Sequence, residues 1–102
     1  MIEFMISFMI RLRDNADALE HSALYDQLTD CKNRKALDWA YTEKLEKYFP
    51  LAVVMCDING LKEINDQKGH DAGDKFIVQT AQTLKSVFGK RHVYRLGGDE
   101  FI

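Results

Sequence analysis

The sequence predicts an α/β chain, a central sheet with flanking helices, and three observations carry that expectation. Leu51 to Ile58 (LAVVMCDI) is apolar on both faces until Asp57, the pattern of a central strand. Two segments, from about Arg34 to Tyr48 and from Asp71 to about Phe88, repeat apolar residues at helical spacing. The double glycine Gly97-Gly98 stands between the apolar runs Val93-Tyr94 and Phe101-Ile102, the mark of a tight hairpin turn that uses positive φ.

Taken in order, residues 1 to about 26 read as one helix. Met5, Phe8, Leu12, Leu19 and Leu24 form a seam near heptad spacing, interrupted by Asn15 as a polar residue interrupts a coiled coil. Asp26 to Arg34 (DQLTDCKNR) is polar punctuation, and Asn33 is placed to N-cap the helix that follows. That helix carries Leu37, Ala40, Tyr41, Lys44, Leu45 and Tyr48 on one stripe, Trp39 covering its edge, and Pro50 closes it. After the strand at 51–58, Gly60 to Gly69 reads as a loop opening into a short helical turn. The next helix is capped by Asp71, packs through Ile77, Ala81, Leu84 and Phe88, and ends at Gly89. Val93 to Leu96 is a second strand, and a third begins at Asp99. A helical crossing between the first two strands suits either a parallel pair or a mixed sheet.

The chain has 102 residues, room for one domain or part of one, with 46% hydrophobic and 29% charged residues, ordinary for a globular protein. A formal net charge of −2 gives no reason to expect DNA or RNA as a partner. Two cysteines, Cys31 and Cys56, are too few for a disulfide framework, and a reducing cytoplasm is the default expectation. Cys56, inside the apolar run, reads as a small buried residue. Met1 to Ile10 is apolar except for Glu3 and Ser7, and short of the roughly 20 residues that span a bilayer. Three readings of it stay open: a helix that dimerises or packs on a partner, the stub of a longer and membrane-anchored upstream helix, or a piece of the domain's own core.

The chemistry-bearing residues are carboxylates. Asp99 and Glu100 follow the double-glycine turn directly, and Asp57 ends the apolar strand. A hairpin can bring such groups together around a divalent cation; Mg²⁺ in particular takes oxygen ligands from one or two carboxylates and phosphates. Read alone, Asp57 is a strand-end cap, Asp99 a turn-flanking residue and Glu100 a solvated strand residue. Asn59-Gly60-Leu61 opens a helical turn whose backbone N–H groups can face an anion, with Lys62 alongside.

The run Asp57 to Asp66, followed by Gly69-His70-Asp71-Ala72-Gly73-Asp74 and by Gly97-Gly98-Asp99-Glu100-Phe101, resembles the signature of the GGDEF domain family, the diguanylate cyclases. Leu28-Thr29-Asp30-Cys31-Lys32-Asn33-Arg34 is similar to the family's opening segment, usually LTGLPNR. The resemblance covers about residues 25 to 102. It implies a partial ferredoxin-like, nucleotidyl-cyclase palm preceded by an N-terminal linker helix. The activity it implies is condensation of two GTP into cyclic di-GMP with release of pyrophosphate. It implies Mg²⁺ (or Mn²⁺) held by Asp57, Asp99 and the Ile58 carbonyl, with Glu100 giving metal or catalytic support. It implies phosphate contacts from Gly60, Leu61 and Lys62, and a guanine read by Asp74 and Asn65, since a carboxylate accepts from the guanine N1–H and N2–H₂ donors. Asp66 and His70 are expected to be structural, and His21 and His92 to have no role.

Around the carboxylates and before the closing motif the sequence also departs from the family pattern. Asn59 replaces a second aspartate, and Gly60-Leu61 an aromatic-rich pair. Phe88-Gly89-Lys90-Arg91 replaces the Arg-x-x-Asp product-inhibition site, so feedback through that site is not expected. The resemblance divides the chain into a signalling or dimerisation helix at 1–25 and the N-terminal portion of a GGDEF domain at 26–102. Two GTP-loaded copies must face each other, so a homodimer is expected, and an upstream sensor domain fits the linker helix. The rest of the sheet is expected beyond Ile102. The chain by itself is then expected to be inactive or nearly so, acting as a GTP-binding module or a strand-exchanged oligomer.

Overall fold

The computed structural model describes residues 2–43, 47 and 50–102. Its elements are α1 (Ile2–Leu24), α2 (Arg34–Glu43), β1 (Cys56–Asp57), α3 (Leu61–Lys68), α4 (His70–Phe88), a 3₁₀ turn (Lys90–His92), β2 (Arg95–Gly97) and β3 (Glu100–Phe101). The mixed helix–sheet class is as expected. The sheet is ordered β1-β3-β2, with β3 antiparallel to both neighbours. β1 and β2 therefore run the same way with β3 between them, and α3 and α4 form the crossing. Of the two arrangements left open by the sequence, this is the mixed sheet.

Several boundaries differ from the sequence reading. The predicted strand at 51–58 pairs only at Cys56–Asp57, and Val53, Val54 and Met55 are exposed. Their apolar character promised burial, but among the described residues no strand lies on the outer side of β1 to provide it. Gly60 to Gly69 is a full eight-residue helix rather than a loop with one turn. α4 starts at His70 with Gly69 as its N-cap and no side-chain cap, so Asp71 belongs to the first turn. Asp99 lies in the turn, and β3 begins at Glu100. Lys44, Leu45 and Tyr48 lie outside the described residues.

The core holds Cys31, Ile58, Ile77, Ala81, Val93 and Phe101, with Cys56, Leu61 and Leu84 packed against it. Cys56 is thus half-buried rather than buried. Phe101, 1% exposed, is the largest side chain fully withdrawn from water among the described residues. Burying it contributes roughly 2–3 kcal/mol and seats β3, the middle strand, in the core that Ile77 and Ala81 of α4 share.

The N-terminal helix buries none of its residues, Leu24 alone of its seam being half-buried. What attaches it is Asn33. The Asn33 side chain donates Nδ2–H to the Ala23 carbonyl at 2.7 Å, and its backbone N–H donates to the Leu24 carbonyl at 2.9 Å. Its Oδ1 accepts the Ala36 N–H at 3.0 Å, the N-cap that the sequence predicts for α2. One asparagine therefore closes the end of α1 and the start of α2. A second tie runs through Asp30, which sits at φ 55 where the family's opening segment has glycine. Asp30 bonds His21 Nε2 of α1 at 2.7 Å and Lys90 Nζ at 3.3 Å, and the His21 ring stacks on Tyr25 at 4.2 Å. His21, without a role in the sequence reading, has one here. Replacing Asn33 by Ala should lower the unfolding free energy by about 1–2 kcal/mol, read from urea denaturation. It should also raise amide exchange at the Leu24 end of α1, and unchanged exchange there would refute the staple.

Candidate active site

Every element near the carboxylates serves to place them. Asp57 is the last residue of β1 and is in register with Glu100 of β3. The Ile58 N–H donates to the Asp99 carbonyl at 3.0 Å, which locks the turn residue beside the strand end. Ile58 buries its side chain in the core, so only its backbone can meet a ligand. The turn itself uses Gly98 at φ 50, a left-handed conformation that glycine adopts without the strain of a side chain.

Asp57 and Asp99 converge. The Asp99 carboxylate, near enough to share a proton, raises the Asp57 carboxyl above its ordinary value of 3.8. Slight desolvation and the charges of Asp99 and Glu100 push the same way, against a smaller opposing pull from the Ile58 N–H. Among the described residues no group of three or more His, Cys, Asp or Glu side chains surrounds one point. The pair alone thus supplies two convergent oxygen donors and a repulsion that a cation would relieve, which is the donor chemistry a hard divalent ion takes.

The phosphate and base candidates lie on the next elements. Gly60, at φ 78 and ψ 11, turns the chain from β1 into α3 and leaves that helix without a side-chain cap. Its first-turn N–H groups are therefore available to an anion, with the helix dipole behind them. Leu61 packs its side chain on the core and offers only its backbone, while Lys62 is exposed. Asn65 is half-buried between α3 and α4, and Asp74 is exposed on the first turns of α4. The fold thus gathers Asp57, Asp99 and Glu100 at one end of the β1–β3 pair, with Gly60, Leu61 and Lys62 directly following. Asn65 and Asp74 belong to the helix pair beside them. Asp66 and His70 are exposed and make no side-chain hydrogen bond among the described residues, so the structural role expected of them is not seen.

Two residues that hold the site were missed in the sequence. Arg95 donates from Nη1 to Asp26 Oδ2 at 2.9 Å, and from Nε and Nη2 to the Gly98 carbonyl at 3.3 and 3.0 Å. Asp26 also accepts from the Thr29 N–H and hydroxyl at 2.9 and 2.8 Å. With side chains only 11% and 24% exposed, this is not a loose surface pair. The guanidinium holds the double-glycine turn from behind. The available signal was an arginine inside the apolar run VYRL, since a guanidinium withdrawn from water requires partners.

A family description, "Diguanylate cyclase, GGDEF domain", matches residues 23–102. The chain belongs to the GGDEF domain family. It is 37% identical over 106 residues to the diguanylate cyclase TpbB of Pseudomonas aeruginosa, a match covering 99% of this chain and 24% of that protein. It is 34% identical over 102 residues to the cyclic di-GMP phosphodiesterase NbdA of the same species, covering 94% of this chain and 13% of that one. The solved GGDEF domain of TpbB superposes with a TM-score of 0.68 at 36% identity, over 76% of this chain and 48% of the other. The coiled coil and GGDEF domain of DgcB from Caulobacter crescentus, in complex with c-di-GMP, gives 0.76 at 29% identity, over 98% and 55%. The chain thus spans about a quarter or less of these curated relatives and about half of these solved chains. No helix among the described residues is long and apolar enough to cross a membrane.

Partial burial pushes the Asp26 carboxyl up, but the hydrogen bonds from Arg95 and Thr29 and the guanidinium charge outweigh it and hold it below 3.8. Its stabilising contribution is therefore full above the unfolded value and lost as pH falls through the lower folded one. Urea midpoints should show the native chain more stable than Asp26→Asn at pH 7, with the gap closing as pH is lowered below 3.8. A pH-independent gap would contradict the pairing. Arg95→Ala should cost about 2 kcal/mol at neutral pH by removing bonds to a charged group.

Proposed function

We propose that this GGDEF chain carries the metal- and GTP-holding part of a diguanylate cyclase that joins two GTP into cyclic di-GMP and releases two pyrophosphates. The observation that carries the reading is Asp57 in register with Glu100 and held beside the turn residue Asp99, whose carboxyl it meets, next to the uncapped start of α3. Asp57, Asp99 and the Ile58 carbonyl are the residues that would hold Mg²⁺ or Mn²⁺, whose chemistry is neutralisation of triphosphate charge as a 3′-hydroxyl attacks an α-phosphate. The N–H groups of the α3 first turn, admitted to close range by Gly60, hold phosphate oxygens, and Lys62 adds a mobile positive charge. Asp74 accepts the guanine N1–H and N2–H₂, and Asn65 completes base recognition. Glu100, opposite Asp57, supports the metal or the attacking hydroxyl. Catalysis on this scheme is positioning and electrostatics.

Each GTP must reach the other's α-phosphate, so two copies face each other. The exposed seam of α1 supports pairing: Met5, Phe8, Leu12 and Leu19 are each more than half exposed. It serves as the dimerisation helix at 1–25, with the catalytic part at 26–102. A second reading, GTP binding without turnover, is favoured by the unsupported edge of β1. Asp57 ends a strand held on one side only among the described residues, and TS-precise placement needs a rigid scaffold.

Incubation with GTP and Mg²⁺ and chromatographic assay for cyclic di-GMP separates the two: product supports the cyclase, and GTP binding without product supports the second reading. Asp74→Ala should weaken GTP binding about 10- to 100-fold, the loss of bonds to a charged group. Asp57→Ala should remove the Mg²⁺-dependent part of that binding; GTP affinity unchanged in both variants would overturn the site assignment. Leu12→Lys with Leu19→Lys should turn a dimer into a monomer in sedimentation analysis.

A further inference from the structure

Gly73 sits within α4, one residue before Asp74, and is buried with Ile77 and Ala81 on the inner face of that helix. Glycine is a poor helix former, and a buried one inside a helix calls for a use of its missing Cβ. A Cβ built on this backbone would stand 1.7 Å from Asn65 Oδ1, 2.8 Å from its Cγ and 3.4 Å from its Nδ2. The three nearest atoms all belong to one side-chain amide. Four of the other glycines, Gly60, Gly69, Gly97 and Gly98, have nothing within 4 Å of the same position, so this close approach is particular to residue 73. The Asn65 backbone carbonyl accepts the Gly69 N–H at 3.0 Å, which anchors its main chain. The side-chain amide makes no hydrogen bond among the described residues, so its direction is set by shape alone.

We propose that Gly73 is a positioning residue for guanine recognition: the missing Cβ admits the Asn65 amide into the surface of α4 and holds it against the turn that carries Asp74. This rests on the reading of Asn65 and Asp74 as the guanine contacts. The amide keeps its donors and acceptor unspent while its rotamer is confined, the arrangement that spares a ligand the cost of ordering it. A methyl group at residue 73 takes that space. The displaced atoms are the far end of a two-torsion side chain, so Asn65 swings away while the helix pair survives. Alanine is also the better helix former. Gly73→Ala therefore damages selectivity more than stability.

The test is titration of the ¹⁵N-labelled chain with GTP and with ATP, each with Mg²⁺, for the native protein, Asn65→Ala, Gly73→Ala and the double variant, alongside thermal melts. The Asn65 side-chain amide resonance should move in Gly73→Ala before any nucleotide is added. GTP affinity should fall about tenfold in each single variant, the size of one or two lost polar contacts, with ATP affinity little changed and no further loss in the double variant. Gly73→Ala binding GTP like the native chain while Asn65→Ala is weakened would overturn the proposal, as would losses that simply add. If the Asn65 resonance moves but GTP affinity is native in both single variants, the underlying guanine assignment fails instead, and the proposal with it. Should Gly73→Ala not fold, the double variant decides: restored folding supports the steric relation, and continued unfolding overturns it.

Discussion

Burial of Phe101 fixes the strand from which the carboxylate turn hangs. Phe101 lies on the middle strand of a three-stranded sheet and is 1% exposed, in the core cluster that also holds Ile77 and Ala81 of α4. Because successive strand residues point to opposite faces, burying Phe101 sends Glu100 outward and sets it opposite Asp57. The same anchor fixes where the turn can begin, and so where Asp99 stands. A chain with so small a core has few such pins, and this one couples the hydrophobic interior directly to the carboxylates.

Around that pin the structure uses polar groups to fix backbone rather than to add surface stability. Arg95 reaches back to the Gly98 carbonyl and across to Asp26, so the double-glycine turn is held from a second direction. Asn33 closes two helix ends at once. Asp30 accepts a backbone conformation uncommon for a side chain-bearing residue and gains partners on α1 and on the 3₁₀ turn. The His21 bond, helped by Lys90 and opposed by slight desolvation, draws its carboxyl below the ordinary value. Among the described residues these ties bind the N-terminal helix to the domain at its last turn, and its long apolar seam stays exposed.

Where the candidate carboxylates stand is legible in the sequence because their positions follow from local rules: a strand end, a glycine turn, the residues just after it. The expected cap at Asn33 is present for the same reason. The strand at 51–58 was over-read, since apolar runs report a demand for burial and not whether a neighbour meets it. The helix at Leu61–Lys68 was under-read, because Gly60 and Gly69 at its ends and polar residues such as Lys62, Asn65 and Asp66 within it resemble loop punctuation. Asp26 reads as loop polarity in the sequence because its partner is 69 positions away.

The family, the carboxylate and amide candidates and the order of the main helices and strands are all legible in the chain of residues, since motif chemistry and helical periodicity are properties of neighbours. That β3 lies between β1 and β2, that Arg95 braces the turn at the Gly98 carbonyl while paired with Asp26, and that Gly73 makes room for Asn65 are facts of the folded chain alone. Each of these joins segments whose meeting depends on how the whole chain packs. A residue's own spacing carries no record of the atom that will fill the space beside it.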